Sequence, residues 1–324
     1  MPRIIFVIIA ALFAGLQTIA GAAAQNYPQR PVRFLLNFGP GAGVDITARL
    51  IADKLSKRWG QPAIVENRPG GDGLVAINAF ISANDDHTLL FVPASVFTAH
   101  PYTHDKLPYN QERDLIPIVN VTTIVVALSA PASLGINSLK EFVASARAKP
   151  NTLNVAAAAG NSDLIMAGFI KKENLPVAKV PYRDIMQAPN DLSENRIQLL
   201  MSSYASMRPL IQAGKLKVLA VTGRKRIDIA PDVPTVAEAG YPYLGIESLI
   251  GIYGPRGMPS AEREAIAGDV RAVVDADPTI ATRLAATGQI VDVRGPAEVA
   301  AGIKDMRDQL ASIAKTLGIK AATQ

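Results

Sequence analysis

Downstream of Arg30 the chain alternates short runs of β-branched, aliphatic and aromatic residues with stretches of helical spacing, and this alternation restricts it to an α/β architecture. Runs 32–38, 63–66 and 89–92 read as strands with helices between them, a rhythm that builds parallel, doubly wound sheets. In the helix predicted over 45–59, Leu50, Ile51 and Leu55 form the apolar stripe, and Gly60 stands where a terminating glycine belongs. Further strands are expected at 116–121, 125–129, 154–157, 197–201 and 216–221. Ser138, with Glu141 three residues on, has the pattern of a capping box, Ser260 can cap a helix running toward Ala276, and Pro278 and Pro296 open the last two helices.

A chain of 324 residues exceeds what one core commonly organises. The Pro- and Gly-rich stretch 229–243 breaks the alternation and reads as a crossing between two lobes, with a second crossing near 121–125. The first lobe is then discontinuous, 25–121 plus 231–324, and the second is 122–230. Ahead of them, Arg3 precedes an apolar run that ends in Ala22-Ala23-Ala24, the pattern of an export leader removed by cleavage near Ala24. Gln17 and Thr18 interrupt that run, whereas a membrane anchor wants about 20 apolar residues.

The absence of cysteine excludes disulfides, thiolate metal sites and cysteine nucleophiles, so an exported chain of this kind rests on core burial. The formal charge of +5 comes from scattered basic residues. Their tightest cluster, Arg224-Lys225-Arg226, reads as a solvated loop, and no nucleic-acid partner is expected. Catalytic groups are also missing. His100 and His104 have metal-like spacing, but Pro101 argues against a shared helical face; His87 falls in a turn; and no Gly-x-Ser-x-Gly elbow is present. Ile46 stands where a dinucleotide fingerprint needs its third glycine, and no Gly-Lys-Ser/Thr follows. The expectation is a non-enzymatic chain without cofactor or metal.

Two glycine-rich turns carry the binding hypothesis. Phe38-Gly39-Pro40-Gly41-Ala42-Gly43-Val44-Asp45 joins a strand to a helix, where free N–H groups and the helix N-terminus favour an anion. The same residues also read as a tight turn capped by Asp45. Ala158-Ala159-Gly160-Asn161-Ser162-Asp163 repeats the pattern in the other lobe, and two facing helix N-termini would clamp an anion. A third turn, 67–73, reads chiefly as a change of direction.

With those turns in view, the chain resembles the substrate-binding proteins of tripartite tricarboxylate transporters, the Bug family, over essentially its whole length after the leader. The resemblance rests on motifs in shared order. They are Tyr27-Pro28 with Arg30-Pro31-Val32, Gly39-Pro40-Gly41 through Asp45, Val65-Glu66-Asn67-Arg68-Pro69-Gly70, Leu107-Pro108-Tyr109, Val180-Pro181-Tyr182, Ala213-Gly214-Lys215-Leu216 and Pro234-Thr235-Val236-Ala237-Glu238-Ala239-Gly240. It implies a periplasmic, two-lobed α/β clamshell of type II-like fold that closes on a small organic acid and delivers it, as a monomer, to membrane permease subunits. The alternative partner is a membrane sensor kinase. The ligand-binding residues it implies are Phe38, Gly41, Ala42, Gly43, Asp45, Ser95, Ala158, Gly160, Asn161, Ser162, Tyr182 and Ser203. The chain departs from the family where Gly39 and Val44 replace a proline and a threonine, where Arg183-Asp184-Ile185-Met186 follows Tyr182, and where Met201-Ser202-Ser203-Tyr204 lacks an acidic residue. The last departure favours a simple carboxylate over an amino acid.

Overall fold

The computed structural model describes residues 27–323, so the leader expected over 1–24 lies outside the described residues. Two mixed sheets form the framework. In spatial order the first contains β11 (Gln289–Arg294), β4 (Ile116–Ile124), β10 (Ser248–Gly254), β3 (Thr88–Pro93), β1 (Val32–Leu36) and β2 (Ala63–Asn67). The second contains β7 (Ala178–Lys179), β6 (Asn154–Ala157), β8 (Leu199–Ser203), β5 (Val126–Pro131) and β9 (Leu216–Val221). This is the two-lobed α/β architecture expected from the sequence.

The helices in chain order are α1 (Gly43–Trp59), α2 (Leu74–Ala83), α3 (Ser95–Thr98), α4 (His100–Thr103), α5 (Gln111–Asp114) and α6 (Leu139–Ala148). They continue as α7 (Asn161–Lys172), α8 (Ala188–Ser193), α9 (Tyr204–Gln212), α10 (Ser260–Asp275), α11 (Thr279–Ala286) and α12 (Pro296–Leu317). Ser138 caps α6 as expected, its hydroxyl accepting from the Glu141 N–H.

The sheets are not purely parallel, as the rhythm alone suggested. β1 runs parallel to β2 and β3, but β10 is antiparallel to β3 and β4, and β11 to β4. In the second sheet β6 is parallel to β7 and β8, while β5 opposes β8 and β9. The cause is the route of the chain. Only Val125 separates β4 from β5, so β4 runs toward the second sheet and β5 runs away from the first. The strands parallel to β4 therefore also end at the lobe interface, and so do β6, β8 and β9, which oppose β5. The turns after β1 and β3 and those after β6 and β8 consequently face one another.

Alternation of side chains along each strand feeds two faces. Phe34 and Leu36 of β1 join Ile51 and Leu55 of α1 in one buried cluster, whereas Leu35 joins Ile77 and Phe80 of α2 in another. That second cluster continues without a break through Leu128, Phe142 and Phe169 of the second sheet's layer.

The return of the chain is tied to its outward path at Thr222. Its N–H donates to the Val126 carbonyl at 3.0 Å, its hydroxyl donates to the Ile246 carbonyl at 2.9 Å, and Ile246 N–H donates back to the Thr222 carbonyl at 3.0 Å. The Pro- and Gly-rich stretch lies alongside β9, with Val221 N–H donating to Pro234 and Val236 N–H donating to Val221. Thr222→Val would leave the buried Ile246 carbonyl short of a donor. The expected cost is about 1 kcal/mol, a fall of about 2 °C in Tm by calorimetry, and an unchanged Tm would contradict this role of the hydroxyl.

Candidate functional site

The first glycine-rich turn is organised by the carboxylate of Asp45, which is 2 % exposed. The helix starts earlier than its sequence suggests, at Gly43, so Ala42 holds the capping position and Asp45 lies inside the first turn. Its Oδ2 accepts from the Gly41 N–H at 2.9 Å and from Arg49 Nε at 3.1 Å, and its Oδ1 accepts from Asn67 Nδ2 at 2.8 Å. Arg49 completes the ion pair at 3.0 Å. Burial acts to raise the Asp45 pKa, but the hydrogen bonds from Arg49, Asn67 and Gly41 outweigh it and hold the carboxyl below its ordinary value.

This network redistributes the donors of the turn. The Gly41 N–H is engaged by Asp45, and the Ala42 N–H donates to the Gly39 carbonyl. The N–H groups of Gly43, Val44 and Asp45 belong to the first turn of α1, where a helix offers no internal acceptor. Asn67 also donates to the Phe38 carbonyl, and the Phe38 ring leans on the core cluster beneath α1.

Gln289 anchors the same turn from below. Its Nε2 donates to the Gly43 carbonyl at 2.8 Å, while its Oε1 accepts from Thr47 at 3.1 Å and from Thr122 at 2.7 Å. Neither Asn67 nor Gln289 was singled out by the sequence reading. Asn67 sits inside a quoted motif, but Gln289 carries no local signal, because its partner is more than 240 residues away.

Across the interface, Gly160 ends the turn after β6 with φ 82° and ψ −131°, and α7 begins at Asn161. A side chain there would need the left-handed region, and its Cβ would sit 3.8 Å from Ser95 Cβ. Thr98 of α3 donates its hydroxyl to Asn161 Oδ1 at 2.8 Å. Ser95, Gly160 and Asn161 are therefore brought together, and Ser162 is buried beside them. The Ala158 N–H is used to extend the sheet, donating to the Met201 carbonyl at 2.9 Å. Ser203 immediately precedes α9, whose Tyr204 N–H donates to Val125; next to it Ala205 abuts Gly288, which neighbours Gln289.

Tyr182 stands apart from these contacts. Its hydroxyl donates to Asp191 Oδ2 at 2.7 Å, and burial together with that bond pushes its pKa up to about 12. Asp184 accepts from Met186 N–H and so caps a turn, while Tyr204 packs in the core cluster of the second layer.

The histidines differ from expectation in one respect. Pro101 occupies the first turn of the short α4, a position proline tolerates, so His100 and His104 do come together, with ring centroids 4.9 Å apart. His100 faces the Tyr109 hydroxyl through Nδ1 at 2.8 Å, and burial lowers its pKa to about 4. Among the described residues no group of three or more His, Cys, Asp or Glu is arranged to hold a metal. A separate cavity of about 730 Å³, bordered by Val125, Val221, Arg224, Ile246 and Arg294, contains none of the sequence-predicted site residues.

Residues 47–318 match the family model described as tripartite tricarboxylate transporter family receptor. The chain belongs to that receptor family. A UPF0065 protein of Bordetella bronchiseptica is 30% identical over 304 residues, 94% of this chain and 90% of that one. A Rhodopseudomonas palustris protein solved with adipate is 26% identical with a TM-score of 0.76, covering 91% of this chain and 99% of its own. MatC of Rhodopseudomonas palustris, solved with bound malate, is 26% identical with a TM-score of 0.72, covering 89% of this chain and 99% of its own. The family is one of periplasmic solute receptors, as the shared motifs implied.

The Asp45 network yields a pH prediction. A carboxylate whose folded pKa is depressed contributes stability above its unfolded pKa and loses it as pH falls through the folded value. Asp45→Asn is therefore expected to lower stability by about 2 kcal/mol at pH 7, with the difference from wild type shrinking as pH drops below the ordinary aspartate range. Urea unfolding at pH 7 and at about pH 3, below the ordinary aspartate range, checks this, and a pH-independent difference would contradict it.

Proposed function

We propose that this receptor captures a small carboxylate between its lobes in the periplasm and hands it to the membrane subunits of a tripartite tricarboxylate-type transporter, without chemical turnover. The observation that carries the proposal is the opposed placement of two helix N-termini. The first turn of α1 follows a parallel strand of one sheet, that of α7 follows a parallel strand of the other, and Thr98 with Asn161 joins the two sides. N–H groups at two helix starts supply donors and favourable potential for negative charge at both ends of a short acid.

On this reading Gly43, Val44 and Asp45 bind through the backbone on one side, and Asn161 and Ser162 on the other. Ala42, Ser95, Ala158, Gly160 and Ser203 shape the walls, while Phe38 and Gly41 hold the turn in place. Tyr182, bonded to Asp191, supports the second-lobe loop. Charge-assisted hydrogen bonds of about 1.5 to 3 kcal/mol each, three or four of them with some buried area, reach micromolar affinity, about −8 kcal/mol. We assign cleavage of the leader near Ala24, a monomeric mature chain, and lobes that meet at Val125 and at the return crossing between Thr222 and Ser248.

Thermal unfolding of the mature chain against adipate, malate, citrate, benzoate and glutamate tests the proposal. A bound carboxylate at 100 times its Kd is expected to add about 2.7 kcal/mol, a rise of about 4 °C. A flat response to every acid in the panel would contradict it. Co-purification with permease subunits, and not with a sensor kinase, is the expected partner result.

A further inference from the structure

The third glycine-rich turn, 67–73, reads from its sequence as a change of direction, but in the fold it wraps the end of β1 at the lobe boundary. Arg68 N–H donates to the Leu36 carbonyl at 2.7 Å, Asn67 Nδ2 donates to the Phe38 carbonyl at 2.9 Å, and between those two residues Asn37 lies against Gly73. Residue 73 has φ 92°, and a Cβ on it would fall 2.8 Å from Asn37 Nδ2. Glycine is needed there twice over, for the left-handed backbone and for the room that the Asn37 carboxamide occupies.

Asn37 is set differently from its polar neighbours. Asn67 and Asp45 spend their side-chain atoms on one another and on the first turn. The Oδ1 atom of Asn37 is buried and accepts no hydrogen bond among the described residues. An acceptor withdrawn from water without a donor is costly to keep, and beside a solute site that cost is explained when the donor arrives with the solute. Gly73 precedes α2, on the side of the sheet where Leu35 packs with Ala94, Val96 and Phe97 after β3. Ser95, which opens α3 and approaches Gly160 of the opposite lobe, belongs to that same turn. The Asn37 carboxamide therefore stands on the Ser95 side of the strand end, directly ahead of the turn that leads to the start of α1.

A carboxylate at neutral pH has no proton to give an amide oxygen, so the ends of an acid held by the helix starts do not satisfy Oδ1. A hydroxyl does. We propose that Asn37 reads a hydroxyl group on the bound solute, Oδ1 accepting its proton while the helix starts hold the carboxylate, so that the receptor selects a hydroxy acid over the plain acid of the same length. A protonated amine is the other donor an acid could bring, but it calls for a free carboxylate, and Asp45 is already paired with Arg49. The inference rests on the carboxylate-receptor reading above and names the solute class within it.

Isothermal titration of the mature chain with matched acids tests it: malate against succinate, citrate against tricarballylate, and lactate against propionate. The wild type is expected to bind the hydroxylated member of a pair about tenfold tighter, the worth of one hydrogen bond. Asn37→Leu, close in shape and without an acceptor, should bring the hydroxy acid level with its plain counterpart. Asn37→Asp, which keeps the oxygen and adds a charge, should weaken both and preserve the preference. Equal affinities within every pair, or a preference that survives Asn37→Leu, would overturn the proposal, as would tighter binding of aspartate than of malate. The wild-type comparison decides alone if Asn37→Leu does not fold. If no matched acid binds while adipate or benzoate does, this inference fails and the carboxylate reading stands; silence toward every acid sinks that reading as well.

Discussion

The buried carboxylate of Asp45 is the interaction on which the site depends. A buried charge is costly unless it is paired and hydrogen-bonded, and this one is met by Gly41, Arg49 and Asn67 together. The consequence is geometric. Asn67 at the end of β2 donates to Asp45 and to the Phe38 carbonyl at once and so ties the turn between β1 and α1 to its neighbouring strand. Asp45 occupies the Gly41 donor, and the N–H groups without an acceptor inside the helix are those of the first turn of α1. A turn of glycines that would otherwise be loose becomes a directed set of donors.

Topology supplies the second half. With a single residue between β4 and β5, the strands that run with β4 and those that oppose β5 end at the common boundary of the sheets, where the turns after β1, β3, β6 and β8 meet, whereas β5, β10 and β11 begin there. Thr98 and Asn161 fix the distance across the mouth, and the tie between Thr222, Val126 and Ile246 fixes the crossing at the back.

The α/β class, the two lobes and the position of most strands were legible because apolar runs and turn residues report local structure directly. The two glycine-rich turns were legible for the same reason. β10 and β11 were not among the strands expected, nor was their antiparallel direction, since nothing local distinguishes a strand entering a sheet from the interface from one leaving toward it. Asp45 read both as a cap, because Asp before an apolar helix is ordinarily one, and as a ligand-binding residue; Asn67, 22 positions on, makes its side chain a buried hub. Gln289 was invisible, being defined by contacts to Gly43, Thr47 and Thr122 that only the folded chain creates. Pro101 misled in the other direction, because a proline in the first turn of α4 leaves His100 and His104 on one side.

In the proposed site a carboxylate is held by backbone N–H groups from both helix starts. Amide proton shifts of the ¹⁵N-labelled mature chain, followed by nuclear magnetic resonance as adipate is added, test it most directly. Downfield movement is expected at Gly43, Val44 and Ser162, with Gly41 unmoved because its N–H already donates to Asp45. Perturbations confined to the cavity beside Arg224 and Arg294, with the two helix starts silent, would contradict it.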